Sequence, residues 1–176
     1  MSSGLTHIYY GNGKGKTTAA LGLALRAAGC GKNVVIVQFL KDWNCGEHNS
    51  LGLLSNVTVF RGKSAGCVFI RDMSGEERAE TKKIHDENLK KAIDLLESGK
   101  CDLLVLDEAI DACQLGVLDA ELFERLLDNK PEFLELVITG HNPDGRLLES
   151  ADYVTEMVNH KHPYDKGIPA RRSIEF

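Results

Sequence analysis

No CxxC pair and no zinc-type spacing occurs among the five cysteines, Cys30, Cys45, Cys67, Cys101 and Cys113. Their odd number and wide separation exclude a disulfide framework and fit reduced thiols in a cytoplasmic protein. No apolar run approaches the roughly 18 residues that a membrane span needs, which excludes insertion. A basic excess is also lacking: 21 Lys and Arg face 26 Asp and Glu, for a net charge of −5. That balance argues against general nucleic-acid binding, so any phosphate site has to be local. The amino terminus lacks a charged segment followed by an apolar stretch and a small-residue cleavage site, so no export signal is expected. No Ser/His/Asp or Cys/His arrangement stands out, which leaves acyl transfer without support. There is no repeat and no low-complexity tract. With 43% hydrophobic and 27% charged residues, the composition is that of one globular domain over 1–176.

What is present is a phosphate loop of unusual length. In Gly11-Asn12-Gly13-Lys14-Gly15-Lys16-Thr17, three residues separate the first glycine from the Gly-Lys-Thr ending, one fewer than in the usual pattern. The segment 6–10 before it reads as a β-branched and aromatic strand, and 17–28 after it as an Ala- and Leu-rich helix. Three glycines let successive N–H groups turn into one concavity at a helix N-terminus, where they bind phosphate oxygens. Lys16 adds a point charge and Thr17 a hydroxyl for magnesium.

Downstream, apolar strands alternate with amphipathic helices. Strands are expected at 33–40, 57–60, 103–108, 136–140 and 152–157, with Gly29-Cys30-Gly31 stopping the first helix. Ser74-Gly75-Glu76-Glu77 has the form of a capping box for a helix that stops near Gly99, Asp119 is expected to cap another, and a short helix follows Pro143. Residues 41–56 read as polar and irregular, and 61–73 as a glycine-containing loop long enough to reach a ligand. The alternation indicates an α/β fold, a parallel sheet with helices on both faces and right-handed crossovers. Ligands bind outside the carboxyl ends of such strands, which puts the phosphate loop, 38–41, Asp107-Glu108 and Thr139-Gly140 along one edge.

Asp107 and Glu108 follow four apolar residues, where a phosphate-loop protein carries the acids that hold or orient hydrated magnesium. Neighbouring strand residues face opposite sides, so the two acids play different parts. The preferred assignment puts Glu108 near the metal and makes Asp107 the partner of Thr17. His160 and His162 read as a polar strand end rather than a metal pair.

The segment GNGKGKTTAA over 11–20, with GKNV at 31–34, VQFLK at 37–41, Gly46-Glu47, VLDE at 105–108 and VITG at 137–140, closely resembles the P-loop ATP:corrinoid adenosyltransferases. The tail is similar too, in Ala151-Asp152, Thr155-Glu156-Met157, Lys161-His162, Asp165-Lys166-Gly167 and Ala170-Arg171. The resemblance implies a RecA-like fold, a homodimer, ATP with magnesium or manganese, and transfer of the 5′-deoxyadenosyl group to cob(I)alamin with release of triphosphate. It implies ATP contacts from Gly11, Asn12, Gly13, Lys14, Gly15, Lys16, Thr17, Thr18, Gln38, Lys41, Glu47 and His141, with Lys16, Glu108 and Asp107 at the chemical centre and Thr17 and Glu108 on the metal. ATP is implied to lie reversed, its terminal phosphate in the loop, for which the shortened cradle offers a physical origin. A reductant of the flavoprotein class is implied to supply Co(I).

Two departures from the family pattern stand out. Loop aromatics are implied to cover the corrinoid's lower face, and here Cys67 and Phe69 stand where phenylalanine and tryptophan are common. His141 replaces a common arginine, so a permanent cation becomes a titratable group. Two other readings use the same loop: a phosphoryl-transferring ATPase or small-molecule kinase, and a nucleotide-responsive corrinoid-binding protein that turns nothing over.

Overall fold

The computed structural model describes residues 3–41, 45–62 and 73–175. Six strands, β1 (Thr6–Tyr10), β2 (Val34–Gln38), β3 (Val57–Arg61), β4 (Leu103–Asp107), β5 (Glu135–Gly140) and β6 (Tyr153–Glu156), form one sheet in the order β3-β2-β4-β5-β1-β6. Every neighbouring pair is parallel. The helices are α1 (Lys16–Gly29), α2 (Gly46–Leu51), α3 (Gly75–Glu97), α4 (Ala109–Gln114), α5 (Ala120–Asp128) and α6 (Gly145–Glu149).

Alternation along the strands divides the core into two layers. Val34 and Ile36 of β2, with Leu103, Val105 and Val137, pack under Ala20, Ala24 and Ala28 of α1 and Leu51 of α2. Val35 and Val37, with Leu104, Leu106, Leu136 and Ile138, meet α3 to α6 through Leu89, Leu96, Ile110, Phe123, Leu126 and Leu147. Burial of each large aliphatic side chain stabilises by about 1.5–3 kcal/mol. The alanine stripe lets α1 lie close on the sheet, which brings the phosphate loop at its N-terminus over the strand ends. This is the expected three-layer RecA-like arrangement, with β5 inserted between loop-bearing β1 and acid-bearing β4.

The capping box of α3 is present: the Glu77 N–H donates to Ser74 Oγ, and the Ser74 N–H donates to Glu77 Oε2 at 2.7 Å. Asp119 caps α5 through the Leu122 N–H. Gly31, at φ 79°, ends α1 as anticipated.

Three expectations need correction. Residues 41–56 are not irregular throughout, because 46–51 form α2; with only one buried residue, that helix shows no apolar period. The strand expected over 103–108 closes at Asp107, and Glu108 turns left-handed at φ 61° to start α4 directly. His160 and His162 are not a strand end, since β6 stops at Glu156. The His162 ring instead accepts the Tyr164 N–H and caps a 3-10 turn over Pro163–Lys166.

Candidate active site

The carboxyl ends of β1, β2, β4, β5 and β6 open onto one edge, where Lys16, Thr17, Gln38, Lys41, Asp107 and Thr139 come together. Gly11 and Gly15 adopt φ values of 106° and 120° that favour glycine. Gly13 serves close approach instead: its N–H donates to the Met157 carbonyl at 2.7 Å, and a Cβ there would lie 2.7 Å from that same backbone. The loop is therefore seated on the chain leaving β6. The Asn12 side chain strengthens the seat by accepting the Asn159 N–H.

Lys16 is 8% exposed and turned inward, donating to the carbonyls of Gly11 at 2.8 Å and Gly13 at 3.2 Å. Its ammonium thus spans the concavity. The first helical bond, Ala19 N–H to the Gly15 carbonyl, leaves the earlier amides of α1 without helical acceptors, as an anion site requires. Lys14 lies outside, paired with Glu175 at 2.9 Å, and Thr18 is exposed in the first turn of α1.

Asp107, fully buried, is the hub. Its Oδ1 accepts the hydroxyls of Thr17 at 3.0 Å and Thr139 at 2.8 Å, and its Oδ2 accepts Lys41 Nζ at 2.6 Å and the Gln38 amide at 3.2 Å. Thr139 in turn accepts the Glu108 N–H at 2.9 Å, which holds the left-handed residue in place. Thr17 spends its proton on Asp107, so its free lone pair faces Lys41 Nζ, 2.6 Å away. The Lys41 ammonium thus lies between the Thr17 hydroxyl and the buried Asp107 carboxylate. Lys41 is aimed there by Leu40, whose φ of 58° is strained for a branched side chain. The Leu40 N–H donates to His85 Nε2, and His85 Nδ1 donates to the Val117 carbonyl.

Asp107 is thus the partner of Thr17, as expected. The Glu108 carboxylate lies with Asp111 and His141, and one side-chain N or O atom from each of the three falls within 4.8 Å of the others. His141 Nδ1 is 3.0 Å from Asp111 and 3.9 Å from Glu108. Burial pushes the Glu108 carboxyl up, with the Asp107 charge adding to the rise and Lys41 and His141 opposing it. Gly140 permits this packing, since a Cβ there would meet the Ile110 Cβ at 2.5 Å. Glu47 is half-buried in the first turn of α2, next to His48. Cys67 and Phe69 lie outside the described residues.

Sequence reasoning missed Asp111 and His48. Asp111 follows Glu108 at helical spacing, a signal legible only once α4 is known to begin there. His48 also accepts the N–H of Cys45 at the start of its own helix, but Cys45 is no usual capping residue, and its other partners come from β2 and β3.

The family model for ATP:corrinoid adenosyltransferase BtuR/CobO/CobP matches residues 2–176. The corrinoid adenosyltransferase of Escherichia coli (strain K12) is 32% identical over 174 residues, covering 98% of this chain and 86% of the relative. Corrinoid adenosyltransferase CobA of Salmonella typhimurium (strain LT2) is 33% identical with the same coverage, and a Sinorhizobium relative is 32% identical over 98% of this chain and 80% of its own length. With the match running nearly end to end, the chain belongs to the ATP:corrinoid adenosyltransferase family.

Proposed function

We propose that this edge binds ATP with its terminal phosphate in the 11–17 loop and turns the ribose C5′ carbon toward a reduced corrinoid. The activity follows from family membership: adenosyl transfer from ATP to a corrinoid. Co(I) brings its own electron pair to C5′, the C5′–O bond breaks, and triphosphate leaves with the bonding electrons. No proton has to be removed from the nucleophile, so no general base is required. The protein's share is orientation and stabilisation of the leaving charge.

The observation that carries this reading is the Lys41 ammonium shared by Thr17 and Asp107 beside the phosphate loop. It supports a cation niche that Asp107 orients without needing to enter it. Magnesium or manganese, held by Thr17 with Glu108 nearby, would neutralise charge building on the departing triphosphate. Lys16 leaves the loop carbonyls for phosphate oxygens, Lys14 adds a second cation at the rim, and the loop amides complete the cradle. Gln38 fixes Asp107, while Thr18, Glu47 and His141 flank the nucleotide.

Cys67 and Phe69 are proposed to face the corrinoid, with a separate reductant, of the flavoprotein class, delivering Co(I). A homodimer is supported by exposed Tyr153 and Val154 on edge strand β6 and Val158 just beyond it. A cytoplasmic setting is supported by the unpaired Cys101 and Cys113, whose thiols burial pushes up to about 12. No helix among the described residues is long and apolar enough to cross a membrane.

The test is product analysis with ATP, magnesium and chemically reduced cob(I)alamin. A light-sensitive adenosylated corrinoid with equimolar triphosphate supports the proposal. ADP would indicate phosphoryl transfer, and a bound corrinoid with no new cobalt–carbon bond would indicate a carrier.

A further inference from the structure

His48 sits on α2, away from the phosphate loop, yet it is joined to Asp107 by hydrogen bonds of forced direction. Its Nδ1 faces two groups that can only donate, an Arg61 guanidinium nitrogen at 2.8 Å and the Cys45 N–H at 3.3 Å. Nδ1 is therefore the acceptor, and the ring hydrogen is on Nε2. From there it donates to Gln38 Oε1 at 2.5 Å. Gln38 is 1% exposed, and its amide nitrogen donates to Asp107 Oδ2, the oxygen that also holds Lys41.

A flipped Gln38 amide would set Oε1 against the Asp107 carboxylate and its NH2 against the His48 N–H. Both contacts would be repulsive, so the Nε2–H tautomer of His48 and the Asp107 carboxylate together fix the orientation of Gln38. The series Arg61, His48, Gln38, Asp107, Thr17 thus runs unbroken from the outer strand β3 to the cation niche.

We propose that His48 is a positioning residue for adenosyl transfer: in its Nε2–H tautomer, locked by Arg61, it fixes the Gln38 amide and through it the Asp107 carboxylate on Thr17 and Lys41. This rests on the reading of Asp107 as the residue that orients Thr17. Protonation of His48 destroys its acceptor and places a cation against Arg61. The charged groups facing it among the described residues are Arg61 from β3, Lys41 after β2, Asp107 from β4 and Glu47 on its own helix. Burial lowers its pKa first and the Arg61 charge second, so the neutral ring is favoured.

Glutamine at this position offers the same donor and acceptor without titrating, whereas leucine offers neither. With ATP, magnesium and cob(I)alamin, His48→Leu is expected to lose about tenfold in kcat with a smaller change in the KM for ATP, and His48→Gln to recover most of that loss. As pH falls below the ordinary histidine value of about 6.5, His48→Gln is expected to lose less activity than wild type. Nitrogen-15 spectra of the histidine rings, with His48 identified by its absence in His48→Gln, provide a readout without turnover. They are expected to show the Nε2–H tautomer in wild type and its loss in Arg61→Leu. Equal kcat losses for leucine and glutamine, or an Nδ1–H tautomer in wild type, would overturn the inference. If wild type makes no adenosylated corrinoid, the proposed function fails, while the spectra still decide the tautomer; if His48→Leu does not fold, the glutamine profile and the spectra decide.

Discussion

Replacing Thr139 by valine tests whether the hub around Asp107 holds the strained turn at Glu108. The side chain is fully buried, and valine keeps nearly the same shape while removing one hydroxyl. That hydroxyl has two duties: it accepts the Glu108 N–H at 2.9 Å and donates to Asp107 at 2.8 Å. Leaving the Glu108 amide without its acceptor costs about 1–2 kcal/mol, and loss of a charge-assisted bond to Asp107 about 1.5–2 more. The apolar methyl that valine adds offsets about 0.5–1 kcal/mol, so the net loss is about 2–3 kcal/mol. Against a total stability of about 5–15 kcal/mol this is a large fraction. In urea unfolding, with a slope of about 2 kcal/mol/M, the midpoint is expected to fall by about 1–1.5 M. Thr139→Ser keeps both hydrogen bonds and is expected to lose only about 1 kcal/mol, from the missing methyl. A valine variant within about 0.5 kcal/mol of wild type, or a serine variant as damaged as valine, would refute the bridging role.

Gly13→Ala puts a methyl 2.7 Å from the Met157 backbone and 2.9 Å from that of Val158, so the loop has to lift off its seat. A loss of about 1–3 kcal/mol in urea unfolding and weaker ATP binding by calorimetry are expected; no change in either would contradict the close approach. Burial lowers the pKa of His85, so the native state binds fewer protons than the unfolded chain below the ordinary histidine value of about 6.5. Its contribution is fully present above that value and lost as pH falls through the folded pKa. The urea midpoint should therefore drop on acidification, and drop less in His85→Gln. Burial raises the Glu108 carboxyl, so the opposite sign applies: its contribution is best in acid and declines as pH rises through the folded pKa. Glu108→Gln is expected to raise the urea midpoint near neutral pH, have little effect in acid and lower turnover, whereas a midpoint unchanged at both would count against a buried, disfavoured charge.

Much of the architecture could be read from residue patterns, and the gaps have physical causes. The continuous apolar runs of β2, β4 and β5 announce strands covered on both faces, and Ser74 and Asp119 announce helix starts through their side-chain oxygens. By contrast α2 has six residues and a single buried side chain, too few for a period to show. The start of α4 was hidden because Glu108 bends the chain without a glycine, a conformation held by Thr139 from another strand. The same limit applies at the site. Alternation along β4 does not set Asp107 apart from Glu108, because Glu108 has already left the strand. That Lys41 would reach both Thr17 and Asp107 depends on the left-handed Leu40, which His85 supports from α3. No local signal encodes such a contact.

The most direct test is a structure of this protein with a non-hydrolysable ATP analogue and magnesium. The terminal phosphate is expected against the amides of 11–17 with Lys16 turned onto it, Lys41 displaced from Thr17 by the metal, and C5′ open toward the corrinoid side. A terminal phosphate pointing out of the loop, with the ribose buried away from that side, would contradict the account.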